Sequence, residues 1–238
     1  MVNYKPLAPV ISSGICGLAL LLGVMAPAGA QDAKKAPYPV MAPVAQYRMA
    51  GAAEIALARS AAPTSISADA EVLVLGERGY ETAVKGRNGF VCLVERSWFN
   101  VFGNPDFWNP KMRAPICLNA AAASTVLPPD LEKTQWVLAG VSEADMRARY
   151  KASAAAQQAP APGSMGYMMS KQGHLSDTDG PWHSHLMLFQ PHTAVATWGA
   201  NLPGSPILGA EGDPGQVTVF FVPLPKWSDG SAASMHMR

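Results

Sequence analysis

The chain has 238 residues, enough for one domain with a sizeable core. Its 18 Lys+Arg balance 17 Asp+Glu with no basic block, which excludes the concentrated positive face that nucleic-acid binding requires. Beyond residue 30 no apolar run is long enough to cross a bilayer, so no membrane span is expected after the N-terminal segment.

Residues 1–30 predict an export signal. Lys5 supplies a positive start, Val10–Met25 a mostly apolar stretch, and Ala28-Gly29-Ala30 a small-x-small cleavage site that would leave Gln31 as the new N-terminus. The apolar stretch is interrupted by Ser12, Ser13 and Gly14 and falls short of the ~20 residues of a spanning helix. The rival reading is an uncleaved anchor. Cys16, between Ile15 and Gly17, has no small-residue lipobox before it. Cys92 and Cys117 are then the pair left in the mature chain, and in an exported protein an even pair predicts a disulfide.

Gln31–Val44 is rich in Ala, Pro and Lys and is expected to be a disordered tether. The domain proper is expected over 45–238. Ala45–Ala61 runs through good helix formers and stops before Pro63. Glu71–Arg96 predicts three antiparallel strands. Asn88-Gly89 is the turn of a hairpin that would set Lys85 opposite Cys92. Trp98–Pro115 reads as a long loop pinned by its own rings, with a lid or an aromatic binding surface as the functional alternative.

Two helices follow, one over Asp130–Ala139 and a second capped by Ser142 with Asp145 three residues on, broken between them at Gly140. Arg147, Arg149 and Lys151 are expected on a solvated face. Strands resume at Met165–Ser170, Ser184–Gln190 and Gln216–Leu224, with a further one at Thr193–Trp198, while Gly/Pro-rich Asn201–Gly215 reads as loop. Strands, then helices, then strands predict a single α+β domain with a mainly antiparallel sheet, two to three helices and one disulfide.

The run Glu54–Pro63, the segment Val74–Tyr80 and Asn88–Ser97, with His185–Met187 and Trp227–Gly230 later, resemble a group of uncharacterised exported bacterial proteins. The resemblance spans most of the mature chain. It implies a folded exported domain and brings no activity, cofactor or catalytic residue with it.

Candidate chemistry concentrates in the histidines. His174, His183, His185 and His192 fall within nineteen residues. On a strand His183 and His185 would share a face and offer two imidazoles to one divalent ion, zinc or copper, with His192 or His174 as a third ligand. A cupin assignment fails because Gln190 stands where that motif needs a carboxylate. Met165, Met168 and Met169, with Met235-His236-Met237, would suit copper, although Met168 and Met169 cannot share a strand face.

A Cys–His hydrolase would need a depressed thiol pKa that neither cysteine's surroundings suggest. Gly163-Ser164-Met165-Gly166 has Pro162 where a nucleophile elbow needs glycine. Asp177-Thr178-Asp179-Gly180 opens like a calcium loop but lacks the downstream carboxylates. No phosphate loop appears.

The expected function is thus a periplasmic or secreted, non-catalytic binding or envelope-associated protein. Its contact patch would lie around Trp182, His183, His185 and the aromatic loop, and its partner would be an unidentified ligand or envelope protein. The alternative is a metal-binding protein or metal-dependent enzyme built on the His183/His185 strand.

Overall fold

The computed structural model describes residues 37–177, 183–212 and 217–233. The export signal, the first part of the tether, Trp182 and the Met-His-Met triplet lie outside the described residues. Eight strands form one sheet: β1 Glu71–Leu75, β2 Tyr80–Val84, β3 Val91–Glu95, β4 Ala114–Leu118, β5 Met165–Met168, β6 His185–Pro191, β7 Leu208–Glu211 and β8 Val217–Pro223. Their order across the sheet is β2-β1-β3-β4-β5-β6-β8-β7. Helices are α1 Gly51–Arg59, α2 Thr64–Ser67, α3 Ala120–Thr125, α4 Leu127–Leu138 and α5 Glu143–Ser153. The class is α+β, as the alternation of strand and helix patterns predicts.

Alternating side chains divide the core in two. On one face Leu93, Ile116, Leu118, Met168 and Phe189 pack with Ala122 of α3 and Leu127 of α4. On the other, Val72, Cys92, Val94 and Cys117 pack against Leu57 and Ala58 of α1 and against Ala61 and Ala62 just after it. β4 is buried at all five positions. Cys92 and Cys117 stand directly opposite each other on β3 and β4, with Cα atoms 4.0 Å apart, and form the disulfide. Cys117 thus belongs to a central strand, whereas the sequence suggests only the end of a loop.

One topological expectation is overturned. β1 and β2 are antiparallel, but β3 pairs with β1 in parallel, in the register Glu71↔Val91 and Val72↔Cys92, on the far side of β1 from β2. The chain leaving β2 crosses the start of β1. Gly86 makes that possible, since a Cβ there would collide with the backbone of Ala70 and Glu71. The Arg87 N–H donates to the Asp69 carbonyl (2.8 Å), and Asn88 Nδ2 donates to the Ile66 carbonyl (2.7 Å). Asn88 Oδ1 accepts the Phe90 N–H (3.1 Å), so Asn-Gly forms an Asx turn that leads the chain to the far side of β1. Lys85 therefore does not face Cys92.

Other local signals hold. Ser142 caps α5 by accepting the Asp145 N–H (3.1 Å), Gly140 breaks the chain at φ +72°, and Arg147, Arg149 and Lys151 are exposed. The first helix begins at Gly51 rather than Ala45, after a 3-10 turn at Val44–Gln46. From Pro37 the expected tether lies on the body, with Tyr38, Met41 and Ala42 packed against the third core cluster. A few apolar groups suffice where a ready-made aromatic surface receives them.

That third cluster is the aromatic loop itself. Trp98, Phe102, Phe107 and Trp108 are all buried, together with Tyr47, Leu75, Val137 and Met146. The rings point inward, so the loop offers no aromatic binding surface and the pinned-loop reading stands. At its base is Arg96, whose side chain is 0% exposed against 1% for Glu54. Arg96 Nε donates to the Tyr47 carbonyl (2.6 Å), one terminal nitrogen to the Val94 carbonyl and the other to Glu54 Oε1 (2.7 Å). Glu54 Oε1 also accepts the Leu75 N–H (3.1 Å).

Removing one partner of a buried ion pair leaves an uncompensated charge, whereas exposed pairs contribute little. Glu54→Ala is expected to cost about 3–5 kcal/mol in denaturant unfolding. Asp69→Ala, which breaks the exposed Arg87–Asp69 pair (2.6 Å), should cost under about 1 kcal/mol. Equal losses in the two variants would contradict this assignment.

Candidate functional site

Strand β6 starts at His185, with His183 two residues ahead of it. His185 Nδ1 donates to the His183 carbonyl (2.7 Å), which fixes the proton on Nδ1, and the ring meets Phe221 edge-on at 5.7 Å. Burial is the main cause pushing the His185 pKa down, and it favours the neutral ring.

His174 lies on a separate segment. Its backbone pairs with Arg113 and its Nε2 donates to Asp177 Oδ1 (3.2 Å). His192 is exposed beyond the end of β6. Among the described residues no group of three His, Cys, Asp or Glu side chains is placed to hold an ion. Met168 and Met169 are core residues.

Asp177, read in the sequence as the opening of a calcium-like turn, gathers donors. It accepts from the Tyr38 hydroxyl, from Lys111 Nζ (2.9 Å) and from His174. The hydroxyl and the ammonium hold its carboxyl down at about 2. The cluster ties residues 37–38, the aromatic loop and the 174–177 turn together. Ser164, weighed as a nucleophile, is 1% exposed and donates to the Ala161 carbonyl (2.7 Å). A hollow of about 210 Å³ is lined by Ser124, Thr125, Pro128, Pro129, Glu132, Gln157 and Gln158. Its Thr125 hydroxyl is already engaged, donating to Ala121 (2.7 Å) and accepting from Ala161 (3.1 Å).

The surface that sequence reasoning missed is the β7 rim. Thr193–Trp198, expected as a strand, holds a 3-10 turn at Val195–Trp198 that ends at Gly199 with φ +64°. Asn201–Gly215, expected as loop throughout, contains β7. Trp198 lies flat on Phe220, with ring centroids 4.3 Å apart and planes 8° from parallel. Gly209 is required beneath this flap, since a Cβ would sit 2.9 Å from Val195 and 3.1 Å from Ala200.

Asn201, the one positive-φ residue other than glycine among the described residues, brackets Gly209. Its Nδ2 donates to the Gly209 carbonyl (2.8 Å) and its Oδ1 accepts the Gly209 N–H (3.0 Å). A carboxamide thereby stands in for a neighbouring strand. The available signal was charge: the eighteen residues Thr193–Ala210 contain no Asp, Glu, Lys, Arg or His.

The most perturbed carboxyl lies elsewhere. Glu95, at the end of β3, is pushed up to about 8 by burial, with Asp130 raising it further and Lys133 offsetting. Between its ordinary 4.5 and about 8 the folded chain holds a proton that the unfolded chain has lost, so stability falls as pH rises through that window. Thermal melts of Glu95→Gln should therefore gain on the native chain steadily from pH 5 to pH 8. Melting curves that stay parallel across this range would contradict the assignment.

No family model, curated protein or solved structure matches the chain.

Proposed function

We propose that the chain acts outside the cytosol as a non-catalytic binding or envelope-associated protein. In this reading residues 1–30 export it, and the uncharged stretch Thr193–Ala210, which runs into β7, is its contact surface in place of the patch around Trp182, His183, His185 and the aromatic loop. The observation that carries the reading is the Cys92–Cys117 pair. It joins two central strands at directly opposed positions, and a structural bond of this kind persists in an oxidising compartment. The resemblance to exported bacterial proteins points the same way. A further support is the structural use of several charged groups. Arg96 and Glu54 bind each other and the backbone, Lys133 pairs with Asp130 (3.3 Å) under Phe102, and Asp177 ties down three segments.

Intact-mass analysis of the native product tests this. The expected species starts at Gln31 and is two hydrogens lighter than its reduced form. A species that keeps Met1 with both thiols free would overturn the reading. Elemental analysis should find less than one equivalent of zinc or copper, in the native protein and in His183→Ala/His185→Ala alike. A stoichiometric metal lost in that variant would favour the metal-dependent alternative.

A further inference from the structure

The β7 rim gathers three of the exposed large apolar side chains: Trp198 at 39%, Leu202 at 52% and Leu208 at 38%. The register Leu208↔Phe221 and Gly209↔Phe220 puts neighbouring positions on opposite faces of the sheet. Trp198 therefore covers the Phe220 face and Leu208 the Phe221 face, while Leu202 follows Asn201 at the outer edge. The apolar groups wrap the end of the sheet.

Two features decide what such a rim can meet. The first is its backbone. The N–H groups of Gly199, Ala200, Asn201, Ser205, Ile207 and Gly209 all have internal acceptors, Pro203 and Pro206 carry none, and only those of Leu202 and Gly204 among the described residues 199–209 stay open. An edge closed in this way offers little to an added strand from another chain.

The second is charge and size. No ionisable side chain occurs between His192 and Glu211. The apolar area that three such side chains expose is a small part of the roughly 800 Å² a side that a stable protein interface buries. They do suffice for shallow insertion at the headgroup–acyl boundary, where tryptophan is enriched. The opposite edge of the sheet, β2, carries Glu81 and is followed by Lys85 and Arg87.

We propose that the Trp198–Leu208 rim docks the protein on a lipid bilayer surface, inserting Trp198, Leu202 and Leu208 without drawing on lipid charge. This names the partner of the contact surface assigned above and rests on the chain being exported to where a membrane faces it.

Vesicle flotation of the oxidised mature chain tests it, with phosphatidylcholine vesicles and with the same vesicles doped with phosphatidylglycerol. The expected result is flotation with both, unchanged between low and high salt, and roughly tenfold weaker in Leu202→Asp. Leu202 is more than half exposed, so this variant should melt with the native chain, which a thermal melt checks. No flotation, flotation only with the anionic vesicles, or flotation that Leu202→Asp leaves intact would overturn the proposal. Self-association without vesicles that Leu202→Asp abolishes would overturn it in favour of a second copy. Failure to float in a chain that starts at Gln31 with its disulfide closed sinks this inference alone. A chain that floats but retains Met1 and free thiols sinks the export reading alone.

Discussion

Three distant parts of the chain meet at the guanidinium of Arg96. It holds the Tyr47 carbonyl ahead of α1, Glu54 on α1 and the Val94 carbonyl on β3, the strand it follows, and through Glu54 it reaches the backbone of β1 at Leu75. An arginine so placed would be prohibitive to bury alone, and its planar fork suits several acceptors at once. Its acceptors lie ahead of α1, on α1 and on β3, so the charge is compensated only when α1 and the turn before it are docked on β3, while the Leu75 N–H of β1 donates to the same Glu54 carboxylate. Tyr47 extends the arrangement, with its hydroxyl accepting from Ala42 (3.1 Å) and donating to Trp108 (2.8 Å). The aromatic loop and residues 37–47 are thereby drawn onto the same centre.

The sheet then divides the labour. Its β1–β4 half is covered on both faces, by α1 on one side and by α3 and α4 on the other, and is bonded covalently between β3 and β4. Among the described residues the outer strand of the β6–β8 half is covered by the short 3-10 turn Val195–Trp198 rather than by one of the α-helices. There the chain supplies its own cover, a flap anchored at Thr193, whose N–H donates to Thr218 Oγ1 (2.9 Å) and whose carbonyl accepts from the same hydroxyl (2.7 Å). Trp198 on Phe220 and Asn201 on Gly209 complete it. The two ends of the sheet thus differ in cover, β2 followed by the charged Lys85 and Arg87, and β7 capped by a flap that is uncharged as far as Ala210 and meets its first carboxylate at Glu211.

What could be read from the residues depended on how local the physics was. The Ser142 cap, the Gly140 break and strands β1, β2, β6 and β8 rest on neighbours within a few positions, and their patterns are visible in the chain. The Asn88-Gly89 turn was also visible, but its outcome was set by partners at Ile66 and Asp69, some twenty residues back. β7 reads as loop because its glycine answers to Val195 and Ala200 rather than to strand propensity. Cys92 and Cys117 could be paired by counting alone, though their places on adjacent central strands could not. The histidines cluster in sequence, but among the described residues no three ligand side chains come together: His174 pairs through its backbone with Arg113, His185 opens β6 and His192 is exposed beyond its end. Nothing in the sequence marks Arg96 as different from the exposed Arg87 or Arg147.

Hydrogen exchange of the intact, oxidised protein asks most directly whether Arg96 unites these elements. Peptides covering 44–59, 71–76 and 91–98 should lose protection together, at the slowest rate in the molecule, because none keeps its partners when another opens. The 193–210 flap should exchange earlier and independently. If 44–59 instead exchanges orders of magnitude faster than 91–98, α1 and Tyr47 leave without disturbing β3, and Arg96 does not hold the fold together.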